Sequence, residues 1–176
     1  NYVEAYNNLS ITLRELTKMD DAEYFLLQAL ALSPEYAEAH NNLGLILKER
    51  GKLEEAEASY REAIQLRPDY AEAVNNLGVA LQELGKLDEA QASYTQAIAI
   101  KSDFTAARLN RLKLLFDQKK FEAALEDADA CVSSEPIARD LTTLYALGRI
   151  DEIYTRIGLQ AKLSSSNISI AAFAAF

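Results

Sequence analysis

Apolar residues along this chain recur at helical spacing, in two stripes separated by a break. In the stretch from Asn42 to Glu49, Leu43, Gly44 and Leu47 fall on one face at i, i+1 and i+4, and Ala56, Tyr60, Ala63 and Ile64 make a second stripe. Gly51 lies between them, where a residue of positive φ ends a helix. Lys52-Leu53-Glu54-Glu55 then opens the second helix, with acids in the first turn where the helix dipole favours them. Pro68 closes the unit, because proline cannot continue a helix interior. The pattern predicts a helix-turn-helix pair.

That pair repeats. Asn42-Leu43-Gly44 returns as Asn76-Leu77-Gly78, a shift of 34, and the same shift carries Gly51-Lys52-Leu53-Glu54-Glu55-Ala56 onto Gly85-Lys86-Leu87-Asp88-Glu89-Ala90. One step back finds Asn8-Leu9, Ala22, Ala29 and Pro34; one step forward finds Asn110, Ala124, Cys131 and Pro136. Ala22, Ala56, Ala90 and Ala124 recur where the second helix must lie close to the first, and Gly44 and Gly78 do the same on the first helix. A hairpin this short cannot bury its own apolar face, so the units must stack. The expected fold class is all-α, a solenoid of antiparallel helix pairs. Four units occupy residues 1–136, at about 3–36, 37–70, 71–104 and 105–138. The outer two are looser: Ser10 and Leu112 replace the packing glycine, and Thr17 and Lys119 replace the turn glycine.

Asn-Leu-Gly, then Gly-Lys-Leu-Glu-Glu-Ala, then Tyr, Ala and Pro at this period resembles the tetratricopeptide repeat, over about residues 3–136. The resemblance implies a right-handed superhelix that holds another protein or a peptide. Tyr36-Ala37-Glu38-Ala39-His40-Asn41-Asn42-Leu43-Gly44 is similar, more narrowly, to repeats of O-linked N-acetylglucosamine transferases and bacterial relatives.

At the start, Tyr2 stands one period before Tyr36, and there is no initiator Met; further repeats are expected upstream in a longer parent. After Pro136 the register slips. Gly148-Arg149-Ile150-Asp151-Glu152-Ile153 resembles the turn sequence but arrives five residues early, so residues 137–163 read as a shortened fifth hairpin. Residues 164–176 read as a linker and an apolar terminal helix. The stretch from Tyr145 to Tyr154, followed by this Ala- and Phe-rich segment, resembles the junction between repeats and an iron- and 2-oxoglutarate-dependent oxygenase domain in some bacterial proteins.

Charge narrows the partners. The formal net charge is −9 and the pI about 4.7, which disfavours nucleic acid and anionic membrane surfaces. One cysteine and one histidine exclude an intrachain disulfide and a structural zinc site, and no cofactor is expected. No apolar run is long enough to span a bilayer and no signal peptide opens the chain, so a cytoplasmic location is expected. Cys131 sits in an alanine column and reads as core, as do the tyrosines; His40 shares a column with Tyr6, Val74 and Arg108 and reads as packing or surface. Nothing suggests an enzyme: no acidic pair has a setting that would tune it for acid–base work.

The candidate site is the face of the first helices that lines the inside of the stack. Asn8, Asn42, Asn76 and Asn110 fill one column in all four units, although asparagine costs about 0.5 kcal/mol or more relative to alanine in a helix interior. An amide offers both a donor and an acceptor and can read the backbone of an extended peptide. With first helices roughly 10 Å apart and a peptide advancing about 3.3 Å per residue, one asparagine would meet about every third residue. The resemblance to the transferase repeats implies the same use. The competing reading is that each asparagine bonds within the array or to water. Asn7, Asn41 and Asn75 flank this column, where some members of the family grip a C-terminal carboxylate with Lys and Arg; that clamp is not expected here. Glu38 and Glu72, with Glu4, form an acidic column; Glu15, Glu49, Glu83 and Asp117 form another, and Lys48 with Arg14 a short basic row. The leading function is an interaction scaffold for an extended peptide or partner protein. The alternative is a substrate-recruiting arm of a larger enzyme, a glycosyltransferase or an Fe(II)/2-oxoglutarate oxygenase, with catalysis elsewhere. Self-association through ends that lack polar capping helices is a third reading.

Overall fold

The computed structural model describes residues 2–120 and Ala123. Seven helices follow in order: α1 (Tyr2–Glu15), α2 (Met19–Leu32), α3 (Ala37–Glu49), α4 (Leu53–Leu66), α5 (Ala71–Glu83), α6 (Leu87–Ile100) and α7 (Thr105–Asp117). The chain divides into two compact units, Asn1–Asn110 and Arg111–Phe176, and α7 crosses the division. In the first unit α1/α2, α3/α4 and α5/α6 pair as hairpins, and each further first helix seats on the hairpin before it. α1 also touches α3, and α3 touches α5, whereas the second helices make no comparable contact with one another. First helices therefore converge and second helices splay, which makes the first-helix face of this unit its inner wall. The second half of the fourth repeat, Cys131, the fifth hairpin and the terminal segment lie outside the described residues.

The same turn closes all four first helices. The amides of residues 17, 51, 85 and 119 donate to the carbonyls of Arg14, Lys48, Gln82 and Phe116, and the next amides donate to Leu13, Leu47, Leu81 and Leu115, all at 2.9–3.0 Å. These paired bonds are the Schellman ending, which needs a left-handed residue at its hinge. Gly51 and Gly85 supply it with φ of 75° and 76°; Thr17 and Lys119 are forced to the same place at 59° and 60°. The tertiary demand for a fixed turn has overridden local preference at both outer repeats.

The core of the hairpins α3/α4 and α5/α6 is a fit between a missing side chain and a ring. A Cβ added to Gly44 would lie 2.6 Å from the Tyr60 ring, and one added to Gly78 would lie 2.6 Å from the Tyr94 ring. Both tyrosines are buried, as are Ala22, Ala56 and Ala90. In the first hairpin Ser10 takes the glycine position and Leu26, smaller than tyrosine, takes the ring position; both are buried, and Ser10 Oγ donates to the Asn7 carbonyl at 2.6 Å. Between hairpins, Ala22, Leu26 and Ala29 pack with Ala39 and Ile46 of the next unit, and Val74 packs with Ala97 and Ala107. The expectation that tyrosines are core fails at Tyr2 and Tyr24, which are 77% and 57% exposed. Tyr24 lies on the outer side of α2, where the repeat places Ala58 and Ala92 and no ring is needed for packing.

Replacing Gly44 with alanine should destabilise the array by about 1–3 kcal/mol through overpacking, and adding Tyr60→Leu should recover part of that loss. Urea denaturation of the single and double variants measures the coupling; additive effects would mean the two positions do not meet. Thr17→Gly should stabilise by about 0.5–1 kcal/mol, because relief of left-handed strain exceeds the entropy glycine loses. A lower midpoint for that variant would mean Thr17 is not strained.

Candidate functional site: the inner wall of the first helices

The two asparagine columns meet across every junction between first helices. Asn42 Nδ2 donates to Asn7 Oδ1 at 2.8 Å, Asn76 Nδ2 to Asn41 Oδ1 at 3.0 Å, and Asn110 Nδ2 to Asn75 Oδ1 at 3.0 Å. The acceptors are the more buried members: Asn7, Asn41 and Asn75 are 4%, 5% and 7% exposed. Asn42, Asn76 and Asn110 are half-buried, and each keeps its Oδ1 and second N–H outside the lateral bond. Asn8 is exposed. An Asn-Asn pair on one helix thus acts twice, accepting from the following unit through its first amide and donating to the preceding unit through its second. The offset of 35, one more than the period, was visible in the sequence as adjacent asparagines; their pairing was the part that sequence reasoning missed.

Two turns further along the same helices, ion pairs repeat this offset. Arg14 Nη1 reaches Glu49 Oε1 at 3.4 Å, and Lys48 Nζ reaches Glu83 Oε1 at 3.8 Å. Both are loose beside the 2.7–2.9 Å typical of tight charge-assisted bonds. Glu38 and Glu72, partly exposed, are each engaged by a cation at the end of a second helix. Arg67, at the end of α4, donates to Glu38 at 2.6 Å while its guanidinium lies 3.6 Å from the Tyr70 ring centroid. Lys101 repeats the clip with Glu72 at 3.6 Å and the Phe104 ring at 5.3 Å. The cation at the end of a second helix thereby holds an acid and an aromatic of neighbouring first-helix segments. Its signal in the sequence is a basic residue three positions before Tyr70 and Phe104; before Tyr36, one period back, that position is Ser33.

Outside the wall the pairs are tighter. Arg50 bridges Asp20 and Glu23 at 2.8 and 2.6 Å, and Glu57 takes Lys86 at 2.8 Å and Arg61 at 2.9 Å. The Lys86 ammonium, helped by Arg61, holds the Glu57 carboxyl below its ordinary range against the opposing effect of burial. His40 Nε2 donates to the Pro34 carbonyl at 2.8 Å, a local brace. Among the described residues no group of three or more His, Cys, Asp or Glu side chains could hold a metal ion, and no helix is long and apolar enough to cross a membrane.

Stacked helical hairpins joined by conserved turn geometry and lined by one face of the first helices define a helical-repeat scaffold. Four tetratricopeptide-repeat models match the sequence, at residues 3–33, 25–58, 44–85 and 71–104, and together they run through more than half of the 176 residues. The chain belongs to the tetratricopeptide repeat family. No curated protein matches the sequence. Several solved structures share the fold. A MamA protein superposes with a TM-score of 0.75 at 20% identity, over 92% of this chain and 85% of that one. A Thermobaculum terrenum O-GlcNAc transferase mutant gives 0.63 at 24% identity over 65% of this chain, which spans only 22% of the transferase. The first repeat domain of Spaghetti, bound to an HSP90 peptide, gives 0.64 at 19% identity over 66% of this chain and 93% of that one.

Two outcomes follow from the bonding. Asn76→Ala should cost about 1 kcal/mol, because the buried Asn41 carbonyl loses its donor, worth about 1–3 kcal/mol, while alanine returns about 0.5 kcal/mol of helix propensity. Thermal melts alongside an Asn8→Ala control, which breaks no such bond, check this; equal melting would mean the lateral bonds carry nothing. For Glu57, a folded pKa below the unfolded value means that its stabilisation is present above the unfolded pKa and lost as pH falls through the folded one. The stability gap between wild type and Glu57→Gln should therefore be full at neutral pH and close below the ordinary carboxylate value of 4.5. A gap that persists at lower pH would refute the ion-pair origin.

Proposed function

We propose that the inner wall of the first helices binds an extended peptide segment of a partner protein by reading its main chain. The observation that carries this is the free side of the asparagine ladder. Asn42, Asn76 and Asn110 each present a carbonyl oxygen and an N–H not consumed by the lateral bond, at one amide per repeat. Asn8 adds an exposed amide to the column. The lateral bonds fix three of the amides in advance, which lowers the ordering entropy that binding would otherwise cost. Asn7, Asn41 and Asn75 support the ladder from behind. Lys48 stands two turns away from the Asn41 level with a loosely held ammonium, and Glu38 and Glu72 contribute as clipped, partly exposed carboxylates. A peptide complex in a protein of the same fold, the Spaghetti domain, supports peptide as the ligand class.

A second reading rests on the likeness to the transferase structure: the array recruits protein substrates for a glycosyltransferase domain in a longer protein. An oxygenase domain would serve the same scheme. In either case the wall binds peptide and catalysis lies on other residues.

The test uses phage-displayed random peptides of a dozen residues, selected on the wild-type chain. The joint variant Asn42→Ala, Asn76→Ala should bind the selected peptides roughly tenfold more weakly, at about 0.5–1.5 kcal/mol per lost hydrogen bond. The loss should be similar across peptides of unrelated sequence, since main chain is read. Calorimetry below the melting temperature of the variant keeps binding separate from folding. Unchanged affinity would leave the ladder with its lateral role alone.

A further inference from the structure

We infer that the leading face of α1 and α2 is a docking surface for a further helical hairpin of this same repeat type, one that precedes Tyr2 in the same polypeptide. The inference is independent of the peptide-binding reading above. Tyr2, Ala5, Leu9, Thr12 and Leu16 follow one another at steps of three and four residues, which sets them in one stripe along α1. All five are exposed. Two periods on, the same stripe in α5 reads Tyr70, Ala73, Leu77, Ala80 and Leu84, and there it is buried or half-buried, because α5 seats on α3 and α4. Leu77 is 6% exposed where Leu9 is 40% exposed. In α3, Tyr36, Ala39, Leu43 and Ile46 pack in the same way on Ala22, Leu26 and Ala29 of the hairpin before. The stripe is thus the surface by which a first helix seats on the preceding unit, and in α1 it faces solvent. A unit that closed the stack would carry polar residues there. Thr12 alone departs from the α5 pattern, and its hydroxyl turns back to the Asn8 carbonyl.

Two polar groups beside the stripe specify what covers it. Asn8 and Lys18 are the counterparts of Asn76 and Lys86. Asn76 donates to Asn41 at 3.0 Å and Lys86 reaches Glu57 at 2.8 Å, both on the hairpin before. Asn8 and Lys18 are exposed. The occupant therefore presents small and apolar residues along its second helix, an amide oxygen for Asn8 and a carboxylate for Lys18. A second copy of the chain fits this set poorly. Asn7 with Glu23 and Asn41 with Glu57 are already engaged by the units that follow them. In the fourth repeat Leu109 and Leu125 take the corresponding places. A hairpin joined ahead of Tyr2 by the short loop that joins α4 to α5 would meet the face at high effective concentration.

The test joins a copy of residues 35–69 to Tyr2 of the full chain, in place of Asn1, so that a hairpin like α3/α4 stands before α1. Any added repeat stabilises an array, so the readout is the effect of a substitution on the face itself. Leu9→Glu should change the melting temperature of the original chain little. It should lower that of the extended chain by roughly 5 °C or more, since the carboxylate is then buried against the added hairpin. Asn41→Leu with Glu57→Leu, made in the added copy alone, should take back part of the stability it confers. An equal effect of Leu9→Glu in both chains would overturn the inference, because the added hairpin would not be seated on α1. Sedimentation of the original chain at several concentrations should give a monomer. A dimer that dissociates on Leu9→Glu would overturn the inference in favour of a second copy. The reading frame ahead of Asn1 should encode a repeat with Asn or Gln 34 positions before Asn7 and Asp or Glu 34 positions before Glu23. A start codon or an unrelated sequence in that span would also overturn it.

Discussion

A tyrosine ring lying where a Cβ would otherwise stand holds the two helices of each central hairpin together, and much of the array follows from that contact. Gly44 and Gly78 let the Tyr60 and Tyr94 rings approach the first helix to a distance no side chain would permit. Once the hairpin closes at that spacing, the apolar faces left over must be covered by the next hairpin, so stacking is obligatory. The contact is kept by volume as well as by identity. Where Ser10 adds atoms to the first helix, Leu26 removes them from the second.

Closing the hairpins in this way turns one face of the first helices inward, and that face is tied together twice, by amides and by charges, both at an offset of 35 residues. The amide bonds are of ordinary length and partly buried; the charge pairs at the far end are loose. Outside the wall Arg50 and Glu57 each hold two partners at 2.6–2.9 Å. The Arg50 and Glu57 pairs tie neighbouring hairpins closely, whereas the Arg14–Glu49 and Lys48–Glu83 pairs on the wall are loose.

Much of this was legible in the sequence. The period, the helix pairs, the turn positions and the close-packing glycines all declare themselves through self-alignment, since any residue type that returns at 34 is answering a backbone or packing demand. Thr17 and Lys119 could be recognised as turn residues only because Gly51 and Gly85 stood one period away, and the left-handed φ at both confirms the position. What self-alignment could not supply was any contact between columns. Asn7 and Asn42 belong to different columns, so their bond is invisible to a comparison that matches like with like. The Arg67–Glu38–Tyr70 clip was missed for the same reason, and Glu38 and Glu72 were read as ligand-facing when part of their charge is spent on the clip. Tyr24 was read as core along with the other tyrosines, although its column holds Ala58 and Ala92 one and two periods on.

Near-identical units also act as controls for one another. The Gly44–Tyr60 and Gly78–Tyr94 contacts are alike at their nearest point, 2.6 Å from an added Cβ to each ring, yet the two hydroxyls meet different neighbours one turn along the first helix. That neighbour is Lys48 in one unit and Gln82 in the next. Glutamine completes the hydrogen bonding of a buried phenol; lysine leaves it incomplete and adds a charge that is only weakly held by Glu83. A stacking scaffold gains nothing from that exchange, because the buried hydroxyl then costs desolvation with no bond to offset it. In a repeat protein the residues that return with the period serve the fold, and the exchange of Gln82 for Lys48 changes the surroundings of a buried hydroxyl without changing the ring contact that closes the hairpin.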